Sequence, residues 1–202
     1  MVSVCLWLTT MISWALVRTR ITVYHEKELR QKAKTNWKLS YLNVSLTGLG
    51  GRPHPSVSNI LTTRDAMKLR SHIKLLAGDF LSYELLAVER GGSPKCRLCP
   101  ASTESTQHIL SECRGTADTR ERLLPELLNL IASIEPNCSL LKPETTPEIL
   151  TQFILDPTSM NLPNEFRIST LHPHLSELFS FSRDWCHSIV SQRSRLLKNP
   201  QH

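Results

Sequence analysis

Four residues constrain this chain more than any other feature: Cys96, Cys99, His108 and Cys113, at Cys-x2-Cys-x8-His-x4-Cys spacing. Three thiols and one imidazole within eighteen residues have the count, chemistry and spacing of a tetrahedral zinc site. Two cysteines separated by two residues turn onto one metal without straining the backbone. The second pair lies in Ser105-Thr-Gln-His-Ile-Leu-Ser-Glu-Cys113, which reads as one or two helical turns. On an α-helix, residues five apart occupy neighbouring faces, so Cys113 is expected where that helix ends, just before Arg114-Gly115. Taken singly, each of the four is an ordinary buried cysteine or surface histidine. A Cys96–Cys99 disulfide is the competing arrangement, and it leaves a thiol and an imidazole unused. With four protein ligands no position stays open for water, so such a metal holds structure and does not hydrolyse.

A chain of 202 residues with 40% hydrophobic content can bury one core and a satellite. Seven Gly, twelve Pro and 6% aromatics point to helices separated by Pro-bearing loops, a mainly α fold, and away from a β-sandwich. Cys5, Cys138 and Cys186 are scattered singly, a distribution that suits a reducing intracellular compartment, nuclear or cytoplasmic. The net charge of +6 resides in one segment: residues 18–52 hold eight Lys/Arg against Glu26 and Glu28, while the remainder balances. Such a segment favours a polyanion (RNA, DNA or an anionic membrane) or forms a solvated basic helix face.

Residues 1–17 carry no charged side chain, but the run is shorter than a membrane span and broken by Ser3, Thr9, Thr10 and Ser13. It reads as a core helix or strand, or as part of a larger domain, with a membrane anchor as the alternative. A helix-forming basic stretch follows to about Leu39, then a Gly/Pro/Ser-rich hinge over 43–58. The expected division is therefore 1–52, the apolar start with its basic segment and hinge, and 53–202, a helical zinc-binding domain. Within the latter the knuckle spans 94–115 and a helical tail 116–202.

Thr62 or Thr63 caps the next helix, whose apolar face at Ile73, Leu76, Ala77, Phe80, Leu81, Leu85 and Val88 extends to about Glu89, with an interruption near Gly78. Arg90-Gly-Gly-Ser-Pro94 ends it and delivers the chain to Cys96. Leu123, Leu124, Leu127, Leu128, Leu130, Ile131 and Ile134 mark a helix over 118–134, whose start Pro125 pushes toward Leu124. Thr146-Pro147-Glu148 opens a short helix that stops before Asp156-Pro157. The last helix begins around Pro173, with Leu175, Leu178, Phe179, Ser182, Trp185, Cys186, Ile189, Val190 and Leu197 on one side.

No catalytic constellation emerges: there is no paired-aspartate polymerase motif, no Gly-rich phosphate loop, and no Ser/His/Asp spacing that supports a triad. The chain is not expected to be an enzyme. Asp79 reads as a structural acid. Cys186-His187 with His172 and His174 would be a second metal site, but adjacent helical residues point about a hundred degrees apart. A core cysteine beside a surface histidine is the preferred reading. The candidate phosphate contacts are Arg64, Lys68, Arg70, Lys74, Lys95, Arg97, Arg193, Arg195 and Lys198.

Leu69-Arg-Ser-His-Ile-Lys-Leu-Leu-Ala-Gly-Asp-Phe80, Ser93-Pro-Lys-Cys-Arg-Leu-Cys99 and Glu104-Ser-Thr-Gln-His-Ile-Leu-Ser-Glu-Cys113 together resemble one family. They are similar to the C-terminal zinc-knuckle region of non-LTR (LINE-type) retrotransposon reverse transcriptases, over roughly residues 37–198. The resemblance implies Zn²⁺ on Cys96, Cys99, His108 and Cys113, and RNA or DNA as partner through backbone contacts. The family's endonuclease and polymerase are absent from this chain, which implies a truncated element. The alternatives are a zinc-stabilised protein-interaction module, whose leucine-rich helices dock on a partner or on the missing polymerase, and a retroelement fragment without function.

Overall fold

The computed structural model describes residues 24, 27–28, 31–32, 35, 41–42, 54–57, 59–78, 95–99, 104–134, 145–160 and 172–199. Among these the protein is mainly helical and contains no strand, as the composition leads one to expect. Four α-helices dominate: α1 (Thr63–Leu76), α2 (Ala117–Ile134), α3 (Pro147–Leu155) and α4 (Leu175–Lys198). Short 3-10 turns lie at Pro55–Val57, Arg114–Thr116, Pro157–Ser159 and His172–His174. The apolar start, Asp79 and the expected continuation of α1 to Glu89 lie outside the described residues.

α1 begins where its capping chemistry dictates. The Thr62 hydroxyl accepts the Asp65 N–H at 3.1 Å, and the Asp65 carboxylate accepts the Thr62 N–H at 3.0 Å, which satisfies two otherwise orphaned donors. The helix ends at Leu76; Gly78 then adopts φ 60°, a left-handed turn that a side chain would resist. Its buried face is Ser71, His72, Leu75 and Leu76, and Ile73 is exposed. Of the expected apolar stripe, Leu76 is buried and Ile73 is not. Leu61 and Met67 stay exposed as well.

α2 runs unbroken from Ala117, with Pro125 inside it. Pro125 and Glu121 both face solvent, so the carbonyl left without a proline N–H is solvated, and the helix need not start later. Leu123, Leu127 and Ile131, four residues apart, form its buried ridge.

α4 is the central element, packed against α1, α2, α3 and the turns around residues 108–116. It lies parallel to α1, because Asn59–Ser176, Lys68–Asp184 and Ser71–His187 pair in the same order along both chains. Its core face carries Leu178, Phe179, Trp185, Cys186 and Ile189. Those side chains join Leu75 and Leu76 of α1, Ile109 and Leu110, the α2 ridge, and Phe153, Ile154 and Leu155 of α3 in one cluster. Tyr41 and Leu42 pack on its edge, and the Tyr41 carbonyl accepts a hydrogen bond from Gln152 at 3.0 Å.

A polar layer crosses this core. The His54 Nδ1 accepts the Ser56 N–H at 3.2 Å and meets the Ser56 hydroxyl at 2.8 Å. The His54 Nε2 lies 3.4 Å from Asp156 at the end of α3. Arg183 of α4 donates to the Ser56 carbonyl at 2.9 Å, and His72 Nε2 donates to the Leu155 carbonyl at 2.8 Å. Phe179 packs between the two imidazoles, at 5.6 and 6.1 Å. Buried polar groups joined in this way fix how the elements meet, since an unpaired member would be costly.

Candidate metal centre

The candidate centre grows from the turn that follows Ser105. The Ser105 hydroxyl accepts the His108 N–H at 3.0 Å, as an N-cap does for the third residue of a helical turn. The turn then widens: residues His108–Glu112 form a π-helical segment, closed by a Cys113 N–H bond to the His108 carbonyl at 2.7 Å. The wider turn draws Cys113 closer to the side of His108 than an α-helix would. Cys113 caps the segment at its end, where the spacing places it, just before Arg114.

Cys96, His108 and Cys113 converge, each buried, with one ligand atom apiece all within 4.8 Å of one another. The Cys96 and Cys113 sulfurs are 3.7 Å apart. Two thiolates at about 2.3 Å from a tetrahedral metal would be separated by about 3.8 Å, whereas a disulfide requires about 2.05 Å. All three knuckle cysteines are free thiols, so the Cys96–Cys99 disulfide does not form. Neither ring nitrogen of the buried His108 has a hydrogen-bond partner. Nδ1 lies 3.6 Å from the Glu112 carboxylate, which leaves Nε2 as the free donor atom. Cys99 is buried in the same cysteine cluster, but its sulfur stands outside the 4.8 Å grouping. The structure thus brings three of the four expected ligands together and sets the fourth beside them.

Burial pushes the Cys96 thiol up to about 11, while the Leu98 N–H pulls the other way and the neighbouring Cys113 adds to the rise. Burial lowers the His108 imidazole, opposed by Glu112. Desolvation therefore keeps both groups uncharged near neutrality, and a bound cation is what would make thiolates favourable here.

Several supporting residues carried no signal in the sequence. Arg120, seven positions past Cys113, donates to the Cys113 carbonyl at 2.6 Å and to the Thr116 hydroxyl at 2.8 Å. Glu104, fully buried, pairs with Arg193 of α4 and ties the loop before His108 to the central helix. Burial raises the Glu104 carboxyl, with Arg193 opposing. The Ser105-x-x-His108 spacing could have exposed the cap; Arg120 and Glu104 required the fold.

The basic candidates separate into groups. Arg193 is buried on Glu104 and does not face outward for phosphate, a correction that follows from its position against the core; Lys68, half-buried, pairs with Asp184 at the surface. Arg64, Arg70, Lys74, Arg195 and Lys198 are exposed, as are Lys95 and Arg97 beside Cys96. Cys186 lies fully in the core, and His187 turns instead to Ser71 of α1 at 3.2 Å, so the two do not share a metal. Ser56, His54 and Asp156 stand in a line that spacing did not reveal. Only 2% of Ser56 is exposed, however, and its hydroxyl is no nucleophile for an outside substrate.

Fold and site together define a mainly helical protein with a buried Cys-His-Cys group able to hold a metal ion. The chain matches no protein-family model, no curated protein and no solved structure. Among the described residues no helix is long and apolar enough to cross a membrane.

Proposed function

We propose that this chain is a zinc-organised, non-enzymatic helical module that grips the backbone of RNA or DNA in a reducing intracellular compartment. By its resemblance it is the C-terminal part of a LINE-type reverse transcriptase. Cys96, His108 and Cys113 hold the Zn²⁺, and Cys99 supplies a fourth thiolate. The metal supplies folding energy and no reaction. The observation that carries this reading is the 3.7 Å sulfur pair beside an imidazole with no hydrogen-bond partner. Hard cations prefer oxygen ligands, while a thiolate-rich set with one imidazole selects zinc among common divalent ions.

The nucleic-acid part of the proposal draws on the outward side of α1. Arg70 and Lys74 are exposed there and Arg64 in the first turn, and the helix's one acid, Asp65, is held in the cap. Phosphate contacts of this kind position a strand without reading its sequence, and each released counterion steepens the salt dependence. Two measurements on the full chain test the reading: zinc stoichiometry by elemental analysis, and anisotropy of a labelled oligonucleotide across a salt series. One zinc per chain and binding that weakens steeply with salt are expected. Metal-free, fully folded protein, or no binding at low salt, would reject it.

A second reading, docking on another protein, has its own observation. Met67 and Ile73 lie exposed on the same side of α1 as Arg70 and Lys74, and Leu61 is exposed just before the helix. Self-association or dye binding by a purified chain that ignores nucleic acid would favour it.

A further inference from the structure

α4 continues past the end of its parallel neighbour α1, and an open cleft of about 450 Å³ lies where Ser71 of α1 faces the last turns of α4. Its inner wall is Ser71, His187 and Val190. Ser71 donates to the Met67 carbonyl at 3.3 Å and accepts from His187 Nδ1 at 3.2 Å. That bond fixes the ring and directs its other nitrogen, Nε2, toward Ser191 at 3.5 Å. The rim carries Ser194, Arg195, Lys198 and Asn199, all exposed. Among the described residues no carboxylate lines the cleft. The C-terminus of α4 contributes a partial negative charge of roughly half a unit, which two full cations outweigh. Hydroxyl and amide donors beside an arginine and a lysine form the donor set that a phosphate requires. The volume falls within the roughly 300–1,000 Å³ of small-molecule sites and exceeds what a lone ion fills. Val190 offers an apolar surface to a sugar or base next to the phosphate.

We infer that this cleft seats one nucleotide unit, its phosphate on Arg195 and Lys198 and its sugar or base against Val190. As a site on a bound strand, this rests on the nucleic-acid reading above and assigns that reading a place on the molecule. The test uses the full chain and anisotropy with a labelled single-stranded oligonucleotide, comparing wild type, Arg195→Ala/Lys198→Ala and Ser194→Glu. All three substituted positions are exposed on the last turns of α4, and circular dichroism of each variant checks the fold. Arg122→Ala, a change at an exposed ion pair on α2, is the control. The expected result is about a tenfold or greater loss in both cleft variants. The double variant should also show a salt slope shallower by roughly 1.4, two single-strand phosphate contacts, and the control no change. Wild-type binding that both cleft variants retain overturns the cleft and leaves the nucleic-acid reading standing. If wild type binds no oligonucleotide, that reading fails, and calorimetric titration with a nucleoside 5′-monophosphate decides the cleft alone. Binding abolished by Arg195→Ala/Lys198→Ala then supports a free-nucleotide site, and no binding overturns it.

Discussion

Gly115 is the residue on which the two halves of the candidate centre close. A Cβ built there would stand 2.7 Å from the Leu98 Cβ, inside any tolerable contact, and Leu98 sits between Cys96 and Cys99. The only relief is to move the Cys96–Cys99 loop away from the turn that carries Cys113. Gly115→Ala is therefore expected to weaken zinc affinity by about tenfold or more, with helix content retained at saturating metal; competition with a chromogenic chelator measures it. His72 sets a second expectation. Burial holds its imidazole down to about 4, with the Leu155 carbonyl and Asp156 opposing and Arg183 and His54 reinforcing the depression. The folded protein thus keeps His72 neutral where the unfolded chain, at about 6.5, takes up a proton. Stability is greatest above pH 6.5 and falls as pH drops toward 4, by up to about 3 kcal/mol from this group. Urea unfolding of wild type and His72→Gln across that range should show a shallower decline in the variant, since glutamine retains an N–H for Leu155. Equal slopes would mean that other groups govern the acid limb.

Among the elements, α2 shows local preference overruled by burial. A proline inside a helix forfeits one hydrogen bond and crowds the preceding turn, at a cost of about 3 kcal/mol. The Leu123–Leu127–Ile131 ridge, each residue nearly inaccessible, outweighs that cost by removing three large apolar side chains from water. Pro125→Ala is accordingly expected to stabilise the protein by about 2 kcal/mol, the restored bond less the greater chain entropy of the unfolded state. A higher urea midpoint at unchanged m-value would show it; an unchanged or lower midpoint would mean the helix has already relaxed around the ring. The π-helical turn is the opposite case. It gives up regular α-helical bonding for a wider turn, and that width draws Cys113 toward the side of His108.

At the scale of the whole molecule, the candidate metal centre and the core are mechanically one unit. Ile109 and Leu110, which follow His108 directly, are fully buried in the cluster around α4, and Glu104 reaches the same helix through Arg193. Chelation is therefore expected to lower the melting temperature of the entire helical signal in one transition, with the same shift in Cys96→Ser without chelator. Zinc supplies about 10 kcal/mol or more to small domains of this kind, comparable to the whole stability of a folded domain. Loss of the 94–116 region alone, with α1, α2 and α4 unmoved, would show the two to be independent. By itself the sequence determined the helical class, the start of α3 at Thr146-Pro147, most of the α4 core face, and that Cys96, His108 and Cys113 gather into a group able to hold a metal ion. Those are local matters of period, capping and ligand spacing, readable over a few consecutive residues. Only the tertiary structure decided that Ile73 faces water, that Arg193 is buried on Glu104, that Arg120 holds the Cys113 peptide, and that Ser56, His54 and Asp156 meet. Each of those depends on which surface another element covers, and burial between residues up to a hundred positions apart leaves no trace in local periodicity.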